Sequence, residues 1–76
     1  TLYIADTGNN RVVVMRMHAT NISMVLGTGY GSGLTQFDQP RDVFVTRTAI
    51  YILDSRNYRV QTYAKNGTFI ATVAGM

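Results

Sequence analysis

The chain repeats its own sequence at a constant offset of 48 residues. The segment LYIADTGNNRV at 2–12 returns as IYILDSRNYRV at 50–60. The same offset relates Val25 to Val73 and Gly27 to Gly75 without a gap. A repeat that keeps its register over this distance indicates one supersecondary unit used twice.

Seven short segments have the composition of β-strands. Each is rich in β-branched and long apolar residues and is bounded by Gly, Asn, Asp, Ser or Pro, which is the pattern of strands joined by turns. No window forms an amphipathic helix with capping residues. The predicted strands are 2–5, 11–17, 22–26, 42–46, 50–53, 59–65 and 68–74.

The order of these strands predicts an all-β chain and a β-propeller fragment. A period of 48 residues with strand-like segments is typical of a propeller blade. We expect three strands of a partial blade at 1–27, an inter-blade loop at 28–40 and a complete four-stranded antiparallel blade at 41–76. Because the chain starts inside a strand-like run, we also expect it to belong to a longer polypeptide.

Two further patterns predict local structure. The runs 43–45 and 51–53 are apolar without alternation. Because successive side chains of a strand point to opposite faces, we expect both faces of these strands to be covered by neighbouring blades. Asn66-Gly67 predicts a tight hairpin in which both turn residues adopt positive φ.

Composition gives little support to catalysis or to metal binding. The chain has no Cys, no Glu, one His and four Asp, and no Ser–His–Asp or Cys–His set. The glycines of 27–33 are not followed by Lys-Ser/Thr or by a predicted helix, as those of phosphate-binding loops are. His18 aligns with Asn66 in a turn, so we expect it to be exposed. We therefore expect no catalytic residue, metal or cofactor within these residues.

Charge and hydropathy bear on possible partners. No apolar run approaches the length of a membrane span, so no membrane partner is expected. The net charge of +3 invites a nucleic-acid interpretation. The Arg residues are scattered singly, however, which is more typical of solvated strand edges. Asn21 and Asn66 fit the N-glycosylation pattern, which favours an extracellular origin only slightly.

The motif Tyr-Ile-x-Asp-x-x-Asn-x-Arg-Val occurs at 3–12 and at 51–60, and a glycine-rich link with Phe37 and Pro40 precedes the second copy. This arrangement resembles the NHL-repeat family over nearly the whole chain. The resemblance implies a β-propeller, commonly six-bladed, with the first strand of each blade lining a central channel. It does not specify a function, because such propellers include recognition scaffolds, RNA-binding domains and relatives of a peptide-amidating lyase.

The Asp, Asn and Arg residues of this motif recur in both copies. They could ring a ligand site, or they could support the fold, with Asp and Asn capping the hairpin and Arg donating charge-assisted hydrogen bonds to neighbouring carbonyls. We favour the structural role because a repeated residue usually serves the repeat. The residues are Asp6, Asn9 and Arg11 in the first copy and Asp54, Asn57 and Arg59 in the second.

Topology sorts the exposed residues onto the two ends of the blade. In an up-and-down blade, the turn between the second and third strands lies at the same end as the inter-blade link. Phe37 and Leu34 are expected to fill the space between blades. The end with the link is expected to carry Tyr30, Gln36, Asp38, Arg41, Arg56 and Tyr58, and the opposite end His18, Arg47, Lys65 and Asn66.

We expect a non-catalytic recognition scaffold for protein or peptide partners, because two Tyr and two Arg are typical of recognition hot spots. These candidate binding residues are Tyr30, Arg41, Arg56 and Tyr58. The first alternative is RNA binding by the same residues through stacking and phosphate contacts.

A second alternative is a lyase or lactonase-type enzyme with a channel metal. The predicted strand 42–46 offers only Asp42 as a possible ligand, which argues against this role. The chain alone has uncovered apolar faces and open edges, so we expect it to need further blades or to self-associate.

Overall fold

In the computed structural model, which describes residues 1–75, the chain forms two antiparallel β-sheets. The first sheet contains β1 (Leu2–Asp6), β2 (Arg11–Met15) and β3 (Met24–Leu26), and the second contains β4 (Pro40–Val45), β5 (Ala49–Asp54), β6 (Arg59–Ala64) and β7 (Phe69–Gly75). Each strand pairs with the next along the chain within its sheet. The all-β prediction is confirmed. Within residues 1–75, no helix is long and apolar enough to cross a membrane.

The hairpins β1–β2 and β5–β6 are structural copies of each other. In both, the Asp that ends the first strand faces the Arg that begins the second. Each hairpin reverses direction through a single 3₁₀ turn, at Thr7–Asn9 in the first and at Ser55–Asn57 in the second. The next residue is left-handed in each case, with φ 55° and ψ 47° at Asn10 and φ 54° and ψ 46° at Tyr58. The sequence repeat therefore extends to the backbone conformation.

The two sheets pack face to face around one hydrophobic core. Apolar side chains from both sheets meet there, with one aromatic ring from the connecting segment, and burial of each large side chain contributes roughly 1.5–3 kcal/mol. Burial of apolar surface therefore holds the sheets together. The buried members of the core are Val12, Val14, Leu26, Phe37, Ile50, Ile52 and Tyr63.

The sheets stack head to tail, because opposite faces of the repeat unit meet in the core. Ile50 and Ile52 point from the second sheet into the core and are fully buried. Their counterparts in the first sheet, Leu2 and Ile4, are 51% and 41% exposed. One face of each sheet is therefore buried against the other sheet, and the remaining face of each is open within residues 1–75.

Within residues 1–75, the first sheet covers one face of 43–45 and 51–53, and the face that was expected to lie against a further neighbouring blade is exposed. Phe44 is 77% exposed and Leu53 is 43% exposed. Both residues line an open apolar depression of about 240 Å³ on the outer face of the second sheet. The apolar pattern thus marks a face that no other part of residues 1–75 covers.

All seven predicted strands are present, and the bounds of each differ from the prediction by one or two residues. β4 begins at Pro40 instead of Asp42, because Pro40 pairs with Asp54 before an irregularity in the register. β3 begins at Met24 instead of Ile22. It is only three residues long, whereas β7 in the second sheet has seven.

The turn before β3 explains why that strand is short. In the second sheet, Gly67 adopts φ 96° and its N–H donates to the carbonyl of Ala64. The prediction of positive φ at both turn residues is wrong, because Gly67 has a positive φ and Asn66 does not. The loop instead follows the three-residue hairpin pattern that ends in a left-handed glycine. In the first sheet Ala19 replaces this glycine, and the positive φ of 64° falls on His18. The first-sheet turn is therefore built differently, and its strand starts later.

The segment between the sheets contributes one residue to the core instead of the expected two. Phe37 is fully buried, as expected, and lies against Gly27, where an added Cβ would come within 2.6 Å of its ring. Leu34 is 62% exposed, so its expected packing between the sheets is wrong. The Gln61 side chain donates to the carbonyl of Leu34 at 2.7 Å. The backbone of Leu34 therefore faces the second sheet while its side chain remains exposed.

Candidate functional site

The repeated Asp, Asn and Arg residues form a hydrogen-bonded cluster on the second hairpin. Asp54 is fully buried at the end of β5. Its Oδ2 accepts hydrogen bonds from Asn57 Nδ2 and from Arg59 Nε, both at 2.8 Å. A buried carboxylate requires such charged and polar partners. The cluster fixes the positions of the Asn57 and Arg59 side chains.

This cluster binds the link loop, residues 27–39, to the second sheet. The N–H of Asp38 donates to Asp54 Oδ1 at 2.8 Å, and Asn57 Nδ2 donates to the carbonyl of Gly31 at 2.8 Å. The bond to Asp54 involves a carboxylate, and hydrogen bonds with a charged partner are roughly twice as strong as neutral ones. Arg59 donates to the carbonyls of Ser32 at 3.1 Å, Gly33 at 2.6 Å and Gln36 at 2.7 Å.

The equivalent cluster of the first hairpin makes only internal bonds. Arg11 Nε donates to Asp6 Oδ2 at 2.8 Å, and Asn9 Nδ2 donates to both carboxylate oxygens of Asp6 at 3.1 and 3.2 Å. The hydrogen bond from Arg11, followed by that from Asn9, lowers the pKa of Asp6 below its usual value of 3.8. Within residues 1–75, no hydrogen bond joins these three side chains to another segment. The Arg11 side chain is 37% exposed, against 12% for Arg59.

The expected capping of the turns by Asp is not observed. Neither the Asp6 nor the Asp54 carboxylate makes a capping hydrogen bond with the backbone of the 3₁₀ turn that follows it. Both carboxylates bind the Asn and Arg side chains of their own hairpin instead. The expected donation from Arg to neighbouring carbonyls is present at Arg59 and absent at Arg11 among the described residues.

The four candidate binding residues lie on segments that meet at one end of the second sheet. We call Tyr30, Arg41, Arg56 and Tyr58 the Tyr–Arg surface. Tyr30 and Tyr58 are 70% and 68% exposed, and both Arg residues are exposed as well. The N–H of Arg56 donates to the carbonyl of Asp38 at 3.0 Å. The 3₁₀ turn and the link loop are therefore joined directly at this end.

Local backbone structure positions the two tyrosines. The residues on either side of Tyr30 are bound to the backbone of Phe37, with Gly31 N–H donating to it and Phe37 N–H donating to Gly29, each at 3.0 Å. Tyr58 occupies the left-handed region, which costs a residue other than glycine about 1–2 kcal/mol. Asn10, its counterpart, belongs to a residue type that enters this region readily. The alignment of Tyr58 with Asn10 was thus the sequence signal for this conformation.

Of the other residues that the sequence placed at the two ends, Gln36 and Asp38 are half-buried instead of exposed, and several have local roles. Gln36 Oε1 accepts the N–H of Gly33 at 2.9 Å, which closes a turn of the link loop. At the opposite end, Lys65 Nζ lies 5.9 Å from the ring centre of Tyr3, and Asn66 Oδ1 accepts the N–H of Thr68 at 3.0 Å. His18, Arg47, Asn21 and Asn66 are all exposed.

Possible ligands for a metal are dispersed in the structure. Among residues 1–75, no three His, Cys, Asp or Glu side chains come together. Asp42, the one candidate ligand on β4, accepts the N–H of Val43 at 2.9 Å.

Sequence reasoning did not single out Tyr63, whose ring is buried in the core. Burial raises the pKa of its phenol, and its hydroxyl has no hydrogen-bond partner among the described residues.

A scan of protein-family models gives no match to this chain. A search of curated proteins gives no significant match either.

Proposed function

We propose that this chain is a segment of an NHL-type β-propeller with a non-catalytic recognition role toward a protein or peptide. Three observations support the propeller part of the proposal. The two sheets are sequential antiparallel meanders, they share a 48-residue period, and they stack head to tail through a glycine-rich link. A head-to-tail stack can continue through further repeats, as repeat proteins do.

The observation that carries the recognition role is the joined backbone beneath the Tyr–Arg surface. Arg56 N–H bonds to the link loop at 3.0 Å, and the neighbouring Asn57 side chain bonds to Gly31 at 2.8 Å. The segments that present Tyr30, Arg56 and Tyr58 are therefore held together before any partner arrives. Preorganised contact residues lose less conformational entropy on binding.

The chemistry of the surface suggests what a partner offers. Tyr combines a large apolar ring with a hydroxyl, and Arg binds carboxylates in a bidentate manner. All four residues of the Tyr–Arg surface are exposed at this end of the sheet. The Asp54 carboxylate at the same end is already hydrogen-bonded to Arg59. We therefore propose a partner segment that carries carboxylates and at least one apolar side chain.

A peptide-display experiment tests this proposal. A random peptide library is selected on the wild-type chain and counter-selected on the variant with both Tyr30→Ala and Tyr58→Ala. We expect peptides rich in Asp or Glu that lose at least about tenfold in affinity, or about 1.4 kcal/mol, when Arg41 and Arg56 are changed to Ala. The matched control is Arg47→Ala with Lys65→Ala at the opposite end. Peptides that bind wild type and the Tyr–Arg variants equally would contradict the proposal.

RNA is the second candidate, because two exposed Arg and two exposed Tyr share this end of the sheet. A labelled single-stranded RNA of mixed sequence distinguishes it from a peptide partner. RNA binding would lose affinity steeply between about 50 and 200 mM salt, and it would require Arg41 and Arg56. Such a result, without selected peptides, would replace the peptide proposal.

A further inference from the structure

The net charge of the chain lies at one end of the two sheets. The end with the link loop holds four Arg and all four Asp of the sequence, and two of these Asp form ion pairs with the Arg of their own hairpin. The charges of this end cancel. The net charge of +3 therefore belongs to the opposite end.

Three connections form the opposite end, namely those between β2 and β3, between β4 and β5, and between β6 and β7. The two sheets are in contact here, since Met24 lies against Gly67 and Lys65 Nζ lies 5.9 Å from the ring centre of Tyr3. The Arg, Lys and His side chains of the three connections are exposed. We call this surface the basic end, and its residues are Arg16, His18, Arg47 and Lys65.

The fold, and not the sequence, brings these cations together. In the sequence they stand singly on three separate segments. In the two meanders, β2, β4 and β6 all run toward this end, so the residue that follows each strand is delivered to it. Further repeats would stack on the sheet faces, which leaves the ends of the sheets at the surface.

The longest connection of the basic end also exposes apolar side chains. Every residue of 16–23 is exposed, and Met17 and Ile22 are 59% and 45% exposed. The connection is closed near its base, where Ser23 N–H donates to the carbonyl of Val14 at 2.8 Å. Apolar and basic side chains are therefore presented together on one ordered loop.

We propose that the basic end binds the surface of an anionic lipid bilayer. Its cations lie against the negative headgroups, and Met17 and Ile22 enter the boundary between headgroups and acyl chains. The absence of a membrane-spanning run led to the expectation of no membrane partner, but contact with a bilayer surface requires no such run. The Tyr–Arg surface lies at the other end and stays free for its own partner.

The composition of the basic end favours a lipid surface over single-stranded nucleic acid. Proteins that hold single strands stack bases on aromatic side chains. The three connections, 16–23, 46–48 and 65–68, contain no Phe, Tyr or Trp. Exposed Met and Ile beside cations match the interfacial region of a bilayer instead.

Vesicle sedimentation tests the electrostatic part of the proposal. The full chain is mixed with vesicles of phosphatidylcholine alone or with about one third phosphatidylserine, and we expect partition at least about tenfold stronger onto the anionic vesicles. Raising the salt concentration should weaken it. Arg47→Ala with Lys65→Ala should lower the partition at least about tenfold, because each basic residue near the surface adds to the attraction. The matched control, Arg41→Ala with Arg56→Ala, removes the same charge from the other end and should leave partition nearly unchanged.

Tryptophan fluorescence tests the apolar part and does not depend on removing any cation. The chain has no Trp, so Met17→Trp places a single reporter on the exposed connection. We expect its emission to shift to shorter wavelength with anionic vesicles, as an indole does when it leaves water for the interface. Tyr30→Trp, at the end with the link loop, is the matched control and should show no shift.

Equal partition onto neutral and anionic vesicles would overturn the proposal, as would equal losses for the two double variants. An unshifted emission of Met17→Trp on bound vesicles would rule out entry into the interface. Absence of vesicle binding, together with salt-sensitive binding of a labelled single-stranded RNA that requires Arg47 and Lys65, would assign the basic end to nucleic acid.

Discussion

Arg59 and Arg11 occupy the same position of the repeat but bind different groups. Arg59 joins three carbonyls of the link loop to a fully buried Asp54, whereas the Arg11 side chain, among residues 1–75, bonds only to the more exposed Asp6. The difference arises from what lies beside each hairpin, because the backbone angles of the two hairpins agree. The contribution of a repeated residue thus depends on its neighbouring segment.

Arg59→Ala should destabilise the chain much more than Arg11→Ala. Removing Arg59 leaves the Asp54 carboxylate buried without its charged partner, which typically costs about 3–5 kcal/mol. Urea denaturation of the two variants measures the free energy of unfolding. Equal losses for the two variants would contradict the assignment of Arg59 as the residue that holds the link loop.

Asp6 should give the first hairpin a pH-dependent stability. Its pKa in the folded chain lies below the usual 3.8, so its ionised form favours folding. This contribution is complete above the unfolded pKa and is lost as the pH falls through the lowered folded pKa. The difference in unfolding free energy between wild type and Asp6→Asn should therefore shrink as the pH is lowered below about 4. A difference that stays constant on acidification would rule this out.

Tyr63→Phe should leave stability unchanged or raise it. The ring is 2% exposed and packs near Phe37 and Phe69, while its hydroxyl has no hydrogen-bond partner among the described residues. A buried polar group without a partner costs about 1–3 kcal/mol, so its removal should be neutral or favourable. Thermal denaturation of wild type and variant measures the effect, and a clear loss of stability would show that the hydroxyl is bonded.

At the scale of elements, the hairpin turns determine where strands begin. Gly67 permits a turn after which β7 begins at Phe69. In the first sheet, where Ala19 stands at this position, β3 begins only at Met24. The strands themselves could be predicted from β-branched runs between turn residues. The shortening of β3 could not, because it depends on which residue of the turn accepts a positive φ.

Gly67→Ala should destabilise the second sheet by about 1–2 kcal/mol, the cost of a left-handed backbone for an L-residue. Gly67 has φ 96°, and an added Cβ would lie 2.6 Å from Met24 Sδ. Gly8→Ala is the matched control, since Gly8 has no atom within 4 Å of an added Cβ and no positive φ. Urea denaturation should separate the two variants; similar stability for both would contradict the role of Gly67.

The candidate site was predictable only in part from the sequence repeat. The repeat placed Arg56 and Tyr58 in a turn and Tyr30 in the link, so the sequence indicated exposed residues at one end. It could not show that Asn57 and Arg59 hold the link loop, because hydrogen bonds over 23 to 27 residues depend on tertiary packing. Leu34 was misplaced because a hydrophobic residue in a glycine-rich loop carries no periodic pattern.

At the scale of the whole molecule, head-to-tail stacking leaves two different faces open. Within residues 1–75, nothing covers the outer face of the first sheet, which carries Leu2 and Ile4, or that of the second, which carries Phe44 and Leu53; all four are at least 41% exposed. These faces are the counterparts of the two that meet in the core. An interface between unlike faces of one unit can join further copies.

The isolated chain should therefore self-associate in solution through these faces. Sedimentation velocity over a concentration series measures this association. We expect Phe44→Asp to weaken it at least tenfold, because a carboxylate cannot be buried there without a partner. Tyr30→Asp is the matched control, as Tyr30 is 70% exposed, close to the 77% of Phe44, but lies outside both faces. A wild-type chain that stays monomeric at high micromolar concentration would contradict this prediction.

The head-to-tail stack of two equivalent sheets is the central claim, and inter-sheet NOEs test it most directly. Gly67 lies against Met24, and Lys65 lies over the ring of Tyr3, so each pair joins the two sheets. We expect NOEs from the Met24 side chain to Gly67 and from the Tyr3 ring to Lys65, together with the NOEs within each sheet. Complete intra-sheet NOEs without either inter-sheet pair would show that the sheets form but do not stack in this way.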